Sequence, residues 1–291
     1  MISAVGTLYT FSLMFQQAVT QRPVDWKAID QVLGRSGNLQ GETYRVGFPR
    51  SDLHVTVGAV RVRPGLALGS WVAFKQTDDS TVMLMGDLVL LESEVAPVVD
   101  ALQRGGIEQT ALHNHLTNES PRVVYLHIGG RGRPIALATT VHEALGATKT
   151  PPPTTTPPPP LELDTVQIAQ VLGMHGRANG GVYQVSVPRA DAVTVDGMEV
   201  PPAMGVATAI NIQATGAKTA AATGDFVLIA SEVNPVLRAL RTNGIAVTAL
   251  HSHMLNETPR LFFMHFWGEG DALKVARGLR AALDEVNVKR N

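Results

Sequence analysis

The stretch Thr110–Gly130, TALHNHLTNESPRVVYLHIGG, returns as Thr248–Gly268, TALHSHMLNETPRLFFMHFWG. In each copy two histidines stand one residue apart, a turn-forming segment follows, and a third histidine sits inside the next apolar run. Residues i and i+2 of a strand project from the same face. His113 and His115 therefore share a face, as do His251 and His253. Asn118 to Pro121 supply turn chemistry, so the following strand returns antiparallel. With the hairpin centred near Glu119, His113 faces Tyr125, and His127 joins the other two histidines on one side. The same spacing gathers His251, His253 and His265. The unit is thus an antiparallel hairpin with three imidazoles on one face, present twice.

The duplication extends beyond the hairpin. Gln31-Val32-Leu33-Gly34 recurs as Gln170-Val171-Leu172-Gly173, and Phe48-Pro49-Arg50 as Val187-Pro188-Arg189. Gly86-Asp87-Leu88-Val89-Leu90 recurs as Gly224-Asp225-Phe226-Val227-Leu228. A nearly constant offset over so long a span means tandem repetition rather than chance. Each half opens with a short helix ending near Leu33 or Leu172. Strand-like segments follow at Tyr44–Phe48, Leu66–Lys75 and Thr81–Leu91, with counterparts in the second half. Helical spacing appears at Val95–Arg104 and Val233–Thr242, where Pro97 and Pro235 are read as first-turn residues and Gly105-Gly106 and Gly244 as caps. After the histidine hairpin comes a last helix, clearest at Asp271–Val286 with its stripe of Leu273, Val275, Leu279, Ala282 and Val286. The predicted fold is α+β: two tandem homologous domains, each a mostly antiparallel sheet with helices packed on it.

The predicted boundaries are a signal-like segment or arm over residues 1–22, a first repeat over 24–147, a linker over 148–161 and a second repeat over 162–289. Pro151–Pro160 reads PPPTTTPPPP. Proline fixes φ and has no N–H, so this run belongs to neither helix nor sheet. It reads as a polyproline II spacer of about 30 Å, free of core contacts, whose cleavage would release two folded halves. Ile2 to Phe15 is apolar enough for a signal-peptide core but has no basic residues before it. Export to the periplasm or outside the cell is the expectation, helped by the Thr/Pro composition.

Several functions are excluded by composition. The formal net charge is −1, so no global field draws the chain to nucleic acid. No apolar stretch in the body approaches a bilayer span. Cysteine is absent, which removes disulfides, thiolate metal sites and cysteine nucleophiles.

What remains is histidine chemistry. His113, His115 and His127 with Glu119, and His251, His253 and His265 with Glu257, match the needs of a divalent transition metal, zinc first. Three protein ligands would leave a position for water, as in catalytic sites. Glu119 and Glu257, at the hairpin tips, are read as ligands or as general bases toward a metal-bound water. Two alternatives stand beside this reading. One is a metal-free acid–base enzyme acting on an anionic substrate, with Arg50, Arg122, Arg189 and Arg260 as anion-binding candidates. The other is a non-catalytic envelope or binding protein with structural histidines and a small-molecule or envelope ligand. Whether the chain is an enzyme is open at this point. Arg50 and Arg189 are also read as salt-bridge partners, Asp87 and Asp225 as turn residues, and Glu94 and Glu232 as helix caps. His54, His142 and His175 have no counterpart in the other copy. Phe262, Phe263, Phe266 and Trp267 are read as core or as the wall of an apolar pocket beside His265.

The run VTALHSHMLNETPRLFFMHFWGEGDALKVARGLRAAL, Val247–Leu283, resembles the LppY/LpqO family, a domain family of unknown function. The resemblance covers both halves and is closer in the second. It implies a bacterial exported protein with a duplicated domain; some members are lipoproteins, but this chain lacks their lipidation cysteine. The first copy departs from the pattern after His127, where Ile128-Gly129-Gly130-Arg131 replaces the aromatic pair Phe266-Trp267.

Overall fold

The computed structural model describes residues 23–155 and 157–289. The signal-like segment lies outside the described residues. In the first repeat, helix α1 (Trp26–Leu33) precedes strands β1 (Asn38–Gln40), β2 (Thr43–Pro49), β3 (Gly69–Gln76) and β4 (Val82–Leu91). Helix α2 (Glu92–Arg104), strands β5 (Glu108–His113) and β6 (Val123–Gly132), and helix α3 (Pro134–Gly146) complete it. The second repeat repeats the plan. It contains α4 (Thr165–Leu172), β7 (Arg177–Asn179), β8 (Val182–Pro188), β9 (Ala207–Ala214) and β10 (Thr219–Leu228). Then come α5 (Ala230–Thr242), β11 (Ala246–His251), β12 (Phe262–Asp271) and α6 (Ala272–Leu283). The strands form two six-stranded sheets in the orders β1-β2-β3-β4-β6-β5 and β7-β8-β9-β10-β12-β11, antiparallel in every pairing. The α+β architecture with two homologous halves is therefore as the sequence indicates.

Three sequence readings need correction. Leu66 and Ala67 are not strand residues: they end a one-turn helix, Pro64–Ala67, which the proline at its start favours. Helix α2 begins at Glu92, so Pro97 lies beyond its first turn, as Pro235 does in α5. Pro97 and the Ser93 it would have bonded are both exposed, so water can satisfy the released carbonyl. Asp87 and Asp225 are not turn residues but lie within β4 and β10, paired opposite His127 and His265.

Strand alternation divides each sheet into two faces. In the first repeat Val72, Phe74, Val82, Leu84, Leu126 and Ile128 turn toward the helices and form one core. The alternate residues face the other repeat. Ala73 and Met83, with Trp71 and Met85 beside them, pack among Val200, Met204, Val227 and Phe263 of the second repeat. Val182 and Trp267 reciprocate by joining a cluster built on Leu66, Leu68 and Tyr125 of the first. Backbone carbonyls are satisfied across the same boundary. Gln184 Nε2 donates to Gly65 O at 2.7 Å, Asn211 Nδ2 to Leu66 O at 2.9 Å, and Gln213 Nε2 to Arg61 O at 2.9 Å.

The halves therefore share two of their hydrophobic clusters, which departs from the expectation of autonomous domains. Nor is the linker free of core contacts, since Leu161 packs against the second repeat's core, and Arg35 Nη2 donates to Pro151 O at 2.7 Å. Cleavage at a protease site placed in the Thr/Pro run is expected to leave the two pieces co-eluting as one particle. Separation into two folded monomers in dilute buffer would contradict the shared clusters.

Each repeat also holds one buried arginine. Arg50 has no exposed surface; it donates to both carboxylate oxygens of Glu94 at 2.8 and 3.0 Å, to Asp52 and to Val89 O. Arg189 does the same with Glu232, Asp191 and Val227 O. Glu94 and Glu232 also accept from Leu91 N and Ile229 N, so they cap α2 and α5 as expected. Arg50 and Arg189 are thus consumed by salt bridges, not held open for an anion. Arg50→Ala would leave Glu94 buried and unpaired, which costs about 3–5 kcal/mol. A urea midpoint for Arg50→Ala close to that of the unmodified protein would contradict this.

Candidate metal centre

The hairpin register is the one read from the sequence: His113 pairs with Tyr125, and His251 with Phe263. His113 and His251 end β5 and β11. His115 and His253 lie just past those strand ends, in the turn segments, and His127 and His265 are central in β6 and β12. Ring centroids within one repeat are 5.0 Å apart for His113–His115 and for His113–His127. In the other they are 4.8 Å for His251–His253 and 4.9 Å for His251–His265.

The two triads are not separate sites. His113 meets His251 at 3.6 Å, His115 meets His265 at 3.8 Å, and His127 meets His253 at 3.6 Å. Those are the shortest histidine separations, and every one crosses between repeats. His113 and His251 are equivalent residues, so the pseudo-twofold relating the repeats passes between them. Each second histidine of the HxH pair is sandwiched. His115 stacks on Tyr125 of its own repeat at 3.3 Å and on His265 of the other; His253 stacks on Phe263 at 3.6 Å and on His127. Phe263 is therefore a wall of the cluster as well as core.

The polar atoms are arranged for a ligand. Nδ1 of His113, His251 and His265 lies 3.4, 3.3 and 2.9 Å from the carbonyls of Asn114, Ser252 and Gly224. A carbonyl can only accept, so these rings carry their proton on Nδ1 and present a lone pair at Nε2. Gly224 is required by the pairing of β10 with β9, because a Cβ there would lie 1.9 Å from the Ala209 carbonyl oxygen. Nε2 of all six histidines is buried and has no hydrogen-bond partner. Donor atoms of His113, His251, His253 and His265 lie within 4.8 Å of one another, as do those of His113, His115 and His127.

Two carboxylates border the cluster. An Asp87 oxygen is 3.8 Å from His127 Nε2, and Asp225 oxygens are 3.7 Å from His253 Nε2 and 3.8 Å from His265 Nδ1. Oδ1 of each aspartate is buried without a hydrogen-bond partner. Burial pushes the Asp87 carboxyl up to about 7, against the pull of Arg45, and burial together with Asp87 holds Asp225 well above the usual range. Burial pushes all six imidazoles the other way. His113 falls to about 3 and the others are lowered, with neighbouring imidazoles adding to the effect for every ring except His251. The cluster is thus built from neutral imidazoles, the form that binds metal.

The remaining sequence candidates lie elsewhere. Glu119 and Glu257 are not gathered with the histidines. They sit in two-residue strands, Glu119–Ser120 and Glu257–Thr258, paired to Val57 and Val195. The Glu257 carboxylate accepts from Leu261 N at 3.0 Å and Arg260 Nη1 at 3.3 Å, so Arg260 is spoken for as well. Arg122 is exposed at the hairpin turn. Sequence reasoning missed Asp87 and Asp225 as members of the site. The available signal was a charged residue inside the apolar runs MLMGDLVLL and AATGDFVLI, repeated in both halves.

A family match accompanies this geometry. Residues 27–147 and 166–285 match the family described as Domain of Unknown Function (DUF1259), and the chain belongs to that family as a tandem of two copies. No curated protein matches the chain. Among solved structures it is similar to PduB, a trimeric bacterial microcompartment shell protein, with 14% identity, 86% of this chain and 89% of that chain covered, and a TM-score of 0.22. It is similar also to EtuB from Clostridium kluyveri, with 13% identity, 86% and 88% covered, and a TM-score of 0.20. At these scores the likeness carries no argument.

Proposed function

We propose that the chain is a metal-binding protein with one divalent transition-metal centre, shared by both repeats. The observation that carries this reading is a set of six buried Nε2 atoms, none hydrogen-bonded, on residues that fall into a group of four and a group of three donors sharing His113. A buried polar group left without a partner costs roughly 1–3 kcal/mol. A purely structural histidine network would supply donors to those lone pairs, and among the described residues none is in place. A cation satisfies them together. Metal–imidazole bonds of about 2.0–2.1 Å put the donors of one ion about 3–4 Å apart, in keeping with the grouping within 4.8 Å. His113, His251, His253 and His265 suffice for a tetrahedral zinc ion; a six-coordinate ion would recruit His115 and His127 as well. Asp87 and Asp225 would balance the charge of the ion.

Export and kinship with LppY/LpqO proteins are part of the same proposal, supported by the Thr/Pro linker and the Val247–Leu283 motif. No described helix is long and apolar enough to cross a membrane. The bordering carboxylates would suit proton transfer at a metal-bound water, so hydrolytic activity is the enzymatic form of this proposal. Metal analysis of protein purified without a histidine tag tests the core claim. One ion per chain is expected, and chelation is expected to lower the melting temperature. Protein that holds no metal and gains no stability from zinc, manganese, nickel or copper would overturn it.

A further inference from the structure

The histidine cluster borders a cleft of about 1900 Å3 between the repeats. His115, His127, His253, His265, Asp87 and Asp225 line it. Four arginines line the same cleft: Arg61, which contacts His54, Arg63, which donates to Gly181 O, Arg45 from β2 of the first repeat and Arg177 from β7 of the second, and the last two carry the argument. Their equivalents are Gln184 and Asn38, so this charge does not come from the duplicated pattern.

Arg45 is held in place from two directions. Its guanidinium stacks on the Trp71 ring at 3.7 Å, and Nη1 donates to Ala203 O of the other repeat at 2.6 Å. Trp71 pairs with Asp87 across β3 and β4, which places this platform beside the histidine cluster. A guanidinium carries five N–H donors in a planar fork. One Arg45 donor is occupied by Ala203, and its remaining nitrogens are not among the described buried atoms left without partners. Arg45 itself is half-buried and lines the cleft. Arg177 is exposed, and its charge works against that of Arg45. Neither guanidinium forms an ion pair with a carboxylate among the described residues. Asp87, Asp225 and Glu269 also line the cleft, but none forms an ion pair with either guanidinium, whereas an oxyanion between the two would draw bidentate hydrogen bonds from a pre-positioned fork.

We propose that this cleft binds an oxyanion, the phosphate or carboxylate group of a small molecule, between Arg45 and Arg177, with the rest of that molecule directed toward Asp87, Asp225 and the histidines. The inference does not depend on the metal, because the arginines are placed by Trp71, Ala203 and the sheet.

Calorimetric titration of the full chain with inorganic phosphate and with succinate tests this, with metal-free and metal-loaded protein in parallel. At least one of the two anions is expected to bind in both forms. Arg177→Gln is expected to weaken that binding at least tenfold, and so is Arg45→Lys, which keeps the charge but loses the fork. Arg131→Gln is expected to leave it unchanged, since Arg131 is exposed, pairs with Asp78 and does not line the cleft. Arg177 lies on an exposed strand, so its variant keeps the test meaningful should Arg45→Lys fold poorly. Phosphate binding without succinate binding would identify a phosphoester-type ligand, and the reverse a carboxylate. Absence of binding by either anion would overturn the proposal. Binding that vanishes on chelation and ignores Arg45→Lys and Arg177→Gln would also overturn it, because the anion would then be a metal ligand. Protein that binds no metal but binds anion through these arginines would refute the metal proposal alone.

Discussion

His113→Ala is expected to weaken metal binding by the whole chain by more than about 100-fold, rather than to leave one full-affinity site in the second repeat. Two independent triads would leave the second copy with His251, His253 and His265 intact and one ion still bound. In the structure His113 belongs to both groups of donors, within 4.8 Å of the second repeat's three histidines and of its own His115 and His127. Removing a group that merely orients a ligand costs roughly 10–100-fold in affinity, so losing a ligand at the centre should exceed that range. His251→Ala, its pseudo-symmetric equivalent, should behave in the same way. Inductively coupled plasma mass spectrometry and competitive zinc titration would measure both. Retention of one full-affinity ion per chain in either variant would mean that the copies bind metal separately. His54→Ala serves as the control: His54 is exposed, contacts Arg61 at 2.8 Å and lies outside the cluster.

Metal-free protein should lose stability steeply as the pH falls below about 6.5. The sign follows from burial. The folded-state pKa of each of the six imidazoles lies below its ordinary value, His113 near 3. Below about 6.5 the unfolded chain takes up protons at these positions and the folded chain does not. The stability conferred by keeping them neutral is fully present above that pH and is lost as the pH falls toward the folded values. Asp87, near 7, and Asp225, also raised, act in the opposite sense, because the folded state holds their protons where the unfolded state has released them. Six lowered imidazoles against two raised carboxyls leave the unfolded chain binding more protons than the folded chain as the pH falls below about 6.5, so the imidazoles set the sign. Each proton of net uptake contributes about 1.4 kcal/mol per pH unit. Domain stabilities are about 5–15 kcal/mol, so a net uptake of a few protons is enough for chelator-treated protein to unfold in mild acid, below about pH 6.5. Circular dichroism during acid titration reads this directly. Stability that is flat from pH 7 to 5 would mean that the imidazoles are solvated or already charged.

Much of this arrangement was legible in the linear chain. The repeat was visible because matching strings recur in the same order. The hairpin register followed from the two-residue period of strands, and it predicted the pairing of His113 with Tyr125. The helix caps at Glu94 and Glu232 followed from position alone. Asp87 was misread because a Gly-Asp dipeptide is usually a turn; here the glycine admits a crowded backbone and the aspartate stays in the strand. The turn glutamates were favoured as ligands because they are near the histidines in sequence. The short strands Glu119–Ser120 and Glu257–Thr258 hold them by backbone pairing to Val57 and Val195, and Arg260 and Leu261 N occupy the Glu257 carboxylate.

The sequence by itself determined the local rules: two copies of one α+β unit, three histidines to a face, a Pro/Thr linker and no cysteine. Only the tertiary structure decided that the two faces close on each other. Periodicity specifies which side of a strand a residue occupies, but not what that side meets. The apolar residues accompanying the histidines, Ala73, Met83, Val227 and Phe263 among them, can leave water only by packing one repeat against the other. That burial brings His113 to His251, draws Asp87 and Asp225 to the border of the cluster, and makes one centre from two motifs.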